Sequence, residues 1–419
     1  MTATDRSVAR AAIITSNYWP EKTGIGQVTT EFAEFLAAGG VDVRVATAMP
    51  YYPEWSIYPS YRRAIWRTER RNEVLIHRAA HYASRNPGTF GRILHEATLC
   101  LLSLPNMIRV LRGADAVFVV SPDLSHAFVG CLVARLMGVR IILVVQDVMP
   151  DAAVEMGLIS NKLVIWVSAW LAAKTYELAA TITTLSDGMK QRIARRTGNA
   201  AKIEVVPNTI DSDELEARPN QGEPFRERFV PKDTISVLHT GNMGEKQDLH
   251  LLLRAARRLK DNANIHFYVF GDGAVKREFL RIRDDWGLAN VSHFPLQERS
   301  LLPHMLYGAD ICLVTQLPEV VDIVVPSKLI TAMGAGAMIV AACAEQSETA
   351  SLLRASGGGI VVPASDDQAV CDAIIKISLG GVDIPRHRQL VRQFAYEHFS
   401  RDVVYRPILD KLSAARAWR

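Results

Sequence analysis

The sequence predicts an α/β protein with two Rossmann-like, doubly wound domains that face each other across a cleft, and a helical segment at the C-terminus. The chain has 419 residues, which is too long for one ordinary core. Short apolar runs alternate with helix-period segments in both halves, as in βαβ units. A polar, non-periodic stretch at 211–232 separates the halves. The predicted domains are 1–215 and 216–395, with a last helix at 396–419 that packs back on the first domain.

The predicted strands are rich in β-branched residues and nearly continuous in apolar character, which is typical of strands buried on both faces of a parallel sheet. In the first half they lie at 11–15, 41–47, 74–78, 116–120, 140–145 and 180–184, with helices at 28–38 and 187–196. In the second half they lie at 235–239, 265–270, 311–314, 338–342 and 359–362, with helices that begin near 247, 274, 327, 347 and 366.

Composition narrows the class of protein. The chain is 49% apolar and 22% charged, with a formal charge of +4, and this mildly basic charge does not indicate a nucleic-acid binder, which usually concentrates basic residues on one face. The five cysteines are widely spaced without a CxxC pair, which argues against zinc and favours reduced thiols. The polar N-terminus argues against a signal peptide, and the longest apolar stretches, 141–145 and 163–173, are too short to span a bilayer. We therefore expect a cytoplasmic protein.

The loop after the first strand, residues 16–26, ends in Gly24 and Gly26 at the start of a helix. Bare backbone N–H groups at a helix N-terminus suit an anion or a closely approaching sugar. The glycines come too late after the strand for a dinucleotide fingerprint, and Thr29 occupies the position of its third glycine. The alternative is an ordinary tight turn.

A phosphate cradle is predicted where the first strand of the second domain ends. Gly241, Asn242 and Lys246 stand between that strand and a helix, so that backbone N–H groups, the helix dipole and an ammonium group converge. Gly271 and Asp272 follow the next strand and expose backbone beside the same edge. The alternative for Lys246 is an exposed lysine at a helix start.

The segment 317–329 follows a later strand and carries two carboxylates, Glu319 and Asp322. Carboxylates can bind ribose or sugar hydroxyls. Pro326 or Ser327 begins the next helix, and Ser327 and Lys328 can reach a phosphate. The alternative is a solvated loop before an ordinary helix.

Taken together, these elements resemble glycosyltransferase family 4, the group 1 glycosyltransferases of the GT-B fold, and most closely its bacterial exopolysaccharide and O-antigen branch. The resemblance covers essentially the whole chain. It implies an acceptor site in the N-terminal domain, a nucleotide-sugar site in the C-terminal domain, and transfer with retention of configuration. The shared segments are 18–26, 145–151, 186–188, 207–211, 241–242, 270–273, 326–329 and 357–363.

Three departures from the family pattern change the expected roles. The usual pair of glutamates eight positions apart is replaced by Ile323 and Thr331, so Glu319 or Asp322 is expected to contact the sugar or ribose. The histidine usual near the acceptor is replaced in the segment Gln146-Asp147, which makes Asp147 the candidate polar group under the reacting carbon. The usual phosphate arginine is replaced by Asn242, which leaves the positive charge to Lys246 and Lys328.

Aromatic and basic residues alternate in the segment 51–71, and an apolar helical stretch follows at 90–112. Such a mixture favours the headgroup region of an anionic membrane and access to a lipid-linked acceptor. A solvated arginine loop above a buried helix is the alternative. The candidate acceptor or membrane face consists of Tyr51, Tyr52, Trp55, Arg62, Arg63 and Trp66.

The sequence thus favours a retaining glycosyltransferase that uses a GDP- or UDP-linked sugar and a saccharide acceptor linked to polyprenyl diphosphate, in cell-surface polysaccharide biosynthesis. It is expected to need no metal and no cofactor, to bind no nucleic acid, and to lie peripherally on the inner face of the cytoplasmic membrane. The alternatives are a sugar-nucleotide 2-epimerase of the same fold and a non-catalytic subunit that binds a sugar nucleotide.

Overall fold

A computed structural model describes residues 8–21, 24–85, 88–121, 123–151, 154, 161–211, 215, 222–320 and 327–414. The chain divides into two compact units. The first unit comprises the chain up to Asn208 together with the chain from Asp402 onward, and the second runs from Thr209 to Arg401. The sequence placed these limits at 215 and 395, a few residues away in each case.

The first unit is built on an eight-stranded sheet of order β3-β4-β2-β1-β5-β6-β7-β8, parallel except for the antiparallel edge strand β3. Its strands are β1 Arg10–Ile14, β2 Asp42–Ala48, β3 Trp66–Arg71, β4 Val74–Ala79, β5 Ala116–Ser121, β6 Arg140–Val145, β7 Thr181–Thr184 and β8 Ile203–Val205. Its helices are α1 Gly24–Ala38, α2 Thr89–Leu111, α3 Leu124–Leu136, α4 Lys162–Leu178 and α5 Asp187–Thr197.

The second unit has a six-stranded parallel sheet of order β11-β10-β9-β12-β13-β14. Its strands are β9 Ile235–Thr240, β10 Ile265–Phe270, β11 Val291–Phe294, β12 Ile311–Thr315, β13 Ile339–Cys343 and β14 Ile360–Pro363. Its helices are α6 Glu223–Phe229, α7 Leu249–Arg258, α8 Lys276–Asp285, α9 Leu302–Gly308, α10 Ser327–Gly334, α11 Glu348–Ser356, α12 Asp367–Ser378 and α13 Ile384–Phe399.

Two doubly wound α/β sheets therefore confirm the predicted fold class. In each sheet the chain starts in the interior, winds to one edge, and returns to add strands on the other side of its first strand. Such an order creates a switch point between two neighbouring strands, where ligands bind at the carboxyl ends. The switch point lies between β1 and β5 in the first unit and between β9 and β12 in the second.

Helix ends follow local sequence signals. Ser347 precedes α11 and its Oγ accepts a bond from the Ala350 N–H at 3.2 Å, while Gly357 ends the helix with φ +67°. Asp248 caps α7 through the Leu251 N–H in the same way. A cap of this kind stabilises its helix by about 1 kcal/mol. The capping residues therefore fix the positions at which α11 and α7 begin after the preceding strands.

The last helix, α14 Arg401–Ser413, belongs from Asp402 onward to the first unit. Tyr405 contacts the rings of Phe32 and Phe35 of α1, with centroids 5.0 and 5.6 Å apart. Leu409 packs so closely on Gly39 that a Cβ there would lie 2.4 Å from its Cδ2. The C-terminal helix thus completes the core around α1.

Two further observations concern the whole described chain. All five cysteines are free, and four of them are buried. Across the described residues, none of the helices has the length and hydropathy that a membrane-spanning helix requires.

Candidate active site

A cavity of ≈ 160 Å³ opens at the switch point of the second unit, between the ends of β9 and β12. Three of the predicted site residues line it: Lys246, Ser327 and Lys328. The structure therefore gathers side chains that lie up to 82 positions apart in the sequence. The other lining residues are His239, Thr240, Gln247, Leu306, Cys312, Leu313, Val314, Thr315, Gln316 and Val320.

Glycines let the loops after β9 and β10 meet through their backbones. The Gly241 N–H donates to Phe270 O and the Met243 N–H to Asp272 O, both at 2.8 Å. A Cβ at Gly271 would lie 2.2 Å from Gly241 O, and one at Gly273 would lie 2.5 Å from Met243 O. Both positions therefore exclude any side chain while this contact is kept.

Lys328 connects α10 to the β9 loop. Its Nζ donates to Asn242 O at 2.9 Å, and its side chain lies against Gly241, whose φ of +114° would strain any other residue. Burial lowers the pKa of Lys328 to about 8. The lysine thus loses its charge at a lower pH than an exposed lysine, in a site that can hold an anion.

His239 and Gln316 were not singled out from the sequence, yet both line this cavity. Each is buried, and His239 Nε2 and Gln316 Oε1 have no hydrogen-bond partner among the described residues. Burial, and then the charge of Lys328, lowers the pKa of His239 to about 3, so its imidazole is neutral. An unpaired buried polar atom costs about 1–3 kcal/mol, which a polar ligand in the cavity would recover.

Other predicted residues of the second unit are not brought to the cavity. Asp272 is exposed and bonds to Lys276 at 2.8 Å, and this bond, more than the Gly273 N–H, lowers its pKa. Glu319 is exposed and does not line the cavity. Asp322 and Pro326 lie outside the described residues.

In the first unit, Glu21 of the loop after β1 is buried, and its carboxylate holds the loop after β2 in place. Its carboxylate accepts from the N–H groups of Tyr51 and Tyr52 at 2.7 and 2.9 Å, and from Asn17 Nδ2 at 2.9 Å. Burial raises its pKa despite these bonds. A single glutamate forms no pattern of spacing in the sequence. The role of Glu21 in holding the loop after β2 could therefore not be predicted.

The two glycines of the loop after β1, Gly24 and Gly26, have different surroundings. Gly26 packs against Glu21, since a Cβ there would lie 3.1 Å from Glu21 Cβ and 3.2 Å from its Oε2. The need for a small residue at 26 thus comes from the protein itself. Gly24 begins α1 with φ +59° and faces open space, so only this glycine has room beside it.

Asp147 follows β6 and is half-buried. It lies close enough to Tyr52 that its charge, after burial and Glu21, helps to raise the pKa of that phenol. The predicted residues Asp147 and Tyr52 are therefore neighbours at the carboxyl ends of the strands, where a doubly wound sheet binds its ligand.

The predicted acceptor or membrane face is only partly a surface. Tyr51 is 3% exposed, so the prediction that it belongs to a surface is wrong; its ring packs against His81, with centroids 4.7 Å apart. Trp55 is half-buried beside it, with ring centroids 5.5 Å apart, whereas Tyr52 and Trp66 are exposed.

The arginines of this region mostly have partners in the protein. Arg62 is exposed and donates to Ile57 O at 2.9 Å, and Arg63 is exposed. Further along β3, three arginines make ion pairs with glutamates: Arg67 with Glu69, Arg70 with Glu73, and Arg71 with Glu34. The positive charge available to a membrane here is smaller than the sequence suggests.

Three buried histidines of the first unit, His81, His95 and His126, are near neighbours, and the rings of His81 and His95 contact Tyr51. The His81 and His95 rings lie 4.9 Å apart, and within the described part of the chain five of the six imidazole nitrogens have no hydrogen-bond partner. His95 Nδ1 contacts Tyr82 O at 2.7 Å. Burial lowers the pKa of His81 to about 3 and that of His126 to about 4, so both are neutral.

Acidification is expected to destabilise the first unit through these imidazoles. The pKa of His81 and of His126 lies below 6.5 in the folded chain, so proton uptake favours the unfolded chain as the pH falls below 6.5. From about pH 7.5 to about pH 5, each should lower the free energy of unfolding by on the order of 2 kcal/mol. Glu96, whose pKa burial raises, acts in the opposite direction.

The measurement is urea unfolding across this pH range for the wild type and for His126→Gln. The variant should lose close to one proton of the pH dependence. Equal slopes for wild type and His126→Gln would show that His126 does not resist protonation in the folded chain.

Two family models match the chain. A model described as a glycosyl transferase 4-like domain matches residues 23–209. A model of the glycosyl transferases group 1 matches residues 234–378. The two matches fall on the first and second structural units, respectively.

Related proteins support the same family assignment as the two family models. The protein WcaI of Escherichia coli (strain K12), named for a glycosyl transferase of colanic acid biosynthesis, is 30% identical over 94% of this chain and 98% of its own length. Alr3699/HepE of Anabaena, solved in complex with UDP, covers 97% of this chain and 100% of its own, with TM-score 0.73 and 13% identity. The sucrose-phosphate synthase of Thermosynechococcus elongatus covers 98% and 100%, with TM-score 0.71 and 16% identity.

At such low identity the two solved structures establish the fold, while the match along WcaI establishes the family. The chain therefore belongs to the group 1 glycosyltransferases, and its two doubly wound domains have the GT-B fold.

Proposed function

We propose that this glycosyltransferase moves a sugar, with retention and without a metal ion, from a GDP- or UDP-linked donor to a saccharide on polyprenyl diphosphate. The product would enter a cell-surface polysaccharide, in line with the name of the relative WcaI. Retention follows from the family resemblance.

The observation that carries the proposal is the pair of lysines on one cavity, Lys246 and Lys328, at the switch point of the second unit. The bond from the sugar to the diphosphate breaks with growing negative charge on the leaving group. Fixed cations in a partly buried site stabilise that charge more than water does. The close-packed glycines keep the backbone of the two loops free of side chains near the same edge.

The first unit would hold the acceptor. Asp147 and Tyr52 lie together beyond the strands, and Glu21 fixes the β2 loop that carries Tyr52. Asp147 is the proposed polar group under the reacting carbon, where a carboxylate can stabilise a developing positive charge.

The test incubates the full chain with a panel of nucleotide sugars, with and without lipid-linked saccharide, and measures released nucleoside diphosphate. Release that depends on the acceptor would support transfer. Conversion of the donor to its 2-epimer would support the epimerase alternative. Binding without turnover would support a non-catalytic subunit, and either of these results would overturn the proposal.

Turnover is expected to be unchanged in excess EDTA, because Lys246 and Lys328 supply the positive charge at the diphosphate. The matched reaction contains added magnesium or manganese. Loss of activity in EDTA that either metal restores would contradict metal-independent transfer.

Donor binding is expected to weaken with rising pH through Lys328. Since the pKa of Lys328 is about 8, its side chain is largely an uncharged amine near pH 9. Binding of the anionic donor then requires Lys328 to take up a proton, and this uptake costs free energy. The Kd for the nucleotide sugar should rise about tenfold from about pH 7 to about pH 9.

Lys328→Arg keeps its charge throughout this range and should flatten the dependence. Titration calorimetry of wild type and variant provides the comparison. A flat profile for the wild type would show that Lys328 does not bind the donor in its charged form.

We also propose that the enzyme works at the cytoplasmic face of the cell membrane, as a peripheral protein. A polyprenyl-linked saccharide is anchored in the bilayer, so the acceptor site must come close to the lipid surface.

A further inference from the structure

Helix α4 of the first unit exposes an apolar face. Leu163 and Trp166 are 68% and 66% exposed, and Val167 and Trp170 are 40% and 47% exposed. These positions follow the spacing i, i+3, i+4, i+7 and therefore share one side of the helix. Neither indole N–H donates a hydrogen bond to the described residues, so both are available to water or to a polar headgroup.

The neighbouring helices extend this face. Helix α3 packs against both α2 and α4, and the rings of Phe128 and Trp170 lie 6.0 Å apart. On α3, Leu132 and Leu136 are exposed at i and i+4, the latter by 79%. On α2, Phe90, Ile93 and Leu101 are exposed as well. Soluble proteins rarely expose so many large apolar side chains together unless the surface has a partner.

The charges around this face identify the kind of partner. Residues 163–173 of α4 contain no charged side chain, and Lys162 and Lys174 flank them. The three helices together contain five Lys or Arg against two Glu. Glu177 bonds to Lys174 at 2.7 Å, so the charges of this pair cancel and four basic side chains remain against Glu96, which is half-buried. An apolar centre with basic ends matches the acyl and headgroup regions of an anionic bilayer.

We propose that the exposed face of α3 and α4, extended by α2, docks on an anionic lipid surface, with Trp166 and Trp170 at the level of the headgroups. This inference rests on the proposed lipid-linked acceptor, whose transfer would need the first unit at a membrane. A second copy of the chain suits the face less well, because a two-fold contact would bring the basic helix ends of both copies together.

The surface differs from the one that the sequence indicated. The segment 51–71 has its arginines largely in ion pairs and two of its aromatic residues, Tyr51 and Tyr61, buried. From the sequence alone, the apolar stretch 163–173 of helix α4 indicates only a segment too short to span a bilayer. Its exposed side chains can nevertheless enter one leaflet from the side.

The test is flotation of the full chain with vesicles of phosphatidylcholine alone or mixed with phosphatidylglycerol, at low and high salt. The wild type should float with the anionic vesicles and bind less at high salt, with part of the binding retained. Trp166→Ser with Trp170→Ser should weaken vesicle binding by about tenfold or more, because two aromatic side chains no longer leave water. Donor binding in the second unit and the urea midpoint show that the variant is folded.

The matched control is Trp66→Ser with Arg62→Ser and Arg63→Ser, on the surface indicated by the sequence. Vesicle binding should persist in this control, and its loss there but not in the α4 variant would overturn the proposal. A wild-type dimer in light scattering that the α4 substitutions dissociate would also overturn it, in favour of a second copy. If vesicles bind but no donor is turned over, the proposed function fails and the docking surface stands. If a lipid-linked saccharide is glycosylated while the wild type binds no vesicles, the proposed transfer stands and the docking surface fails.

Discussion

Replacing Lys246 by alanine is expected to lower kcat/KM for the nucleotide sugar by about 10²-fold or more. Lys246 lines the cavity at the β9–β12 switch point, and its backbone C=O accepts the Leu317 N–H at 3.1 Å, which fixes its position beside β12. A fixed donor aimed at charge that grows in the transition state is worth on the order of 3–4 kcal/mol, or 10²–10³-fold in rate. Most of the loss should therefore appear in kcat.

Lys276→Ala is the matched control for a lysine of the same unit. Lys276 pairs on the surface with Asp272, and an exposed pair of this kind contributes about 1 kcal/mol or less. Steady-state kinetics of both variants, with urea midpoints to show folding, provide the measurement. If a folded Lys246→Ala variant has the kcat/KM of the wild type, Lys246 takes no part in the mechanism. Of the two lysines that line the cavity, Lys328 would then be the one that contacts the diphosphate.

The alternation of apolar and periodic segments was enough to predict both sheets, because strands buried on two faces are nearly all apolar. Three strands are not predicted by this alternation, because they are either polar and exposed to water or only a few residues long. Strand β3 reads Trp-Arg-Thr-Glu-Arg-Arg and lies at the edge of its sheet, where polar side chains face water. Strands β8 and β11 have only three and four residues. Helix α4 lacks a polar face, so its periodicity is weak.

The candidate site was predictable where its signal is local. Gly241, Lys246 and Lys328 each lie between a strand and the next helix or at the start of that helix, and this context predicts a phosphate cradle without knowledge of the tertiary fold. His81 follows β4, whereas His95 and His126 lie within α2 and α3, and only the tertiary fold brings the three together. Glu21 is recognisable only through its bonds to the β2 loop, 30 and 31 residues away.

Gly271→Ala is expected to weaken donor binding by about 10²-fold or more, although residue 271 lines no part of the cavity itself. The new methyl carbon would lie 2.2 Å from Gly241 O and 3.1 Å from Met243 Cγ. The first of these is a backbone atom, and the Gly241 N–H is fixed by Phe270 O. The β9 loop must therefore move away and displace Asn242 O, which positions the ammonium of Lys328. Overpacking of this kind also lowers the free energy of unfolding by about 1–3 kcal/mol.

A control must separate this displacement from a general loss of stability, and Gly287→Ala in the same unit does so. Gly287 faces open space, and its φ of +61° makes alanine cost about 1–2 kcal/mol without a steric clash. Both variants should therefore lose similar stability in urea, whereas only Gly271→Ala should lose affinity for the nucleotide sugar in calorimetry. Gly244→Ala, whose methyl would meet the Asn242 and Gln247 side chains at 3.0 and 3.2 Å, should have an intermediate effect because side chains can yield. Wild-type affinity in a folded Gly271→Ala would mean that the backbone contact between the β9 and β10 loops is not needed to hold the donor.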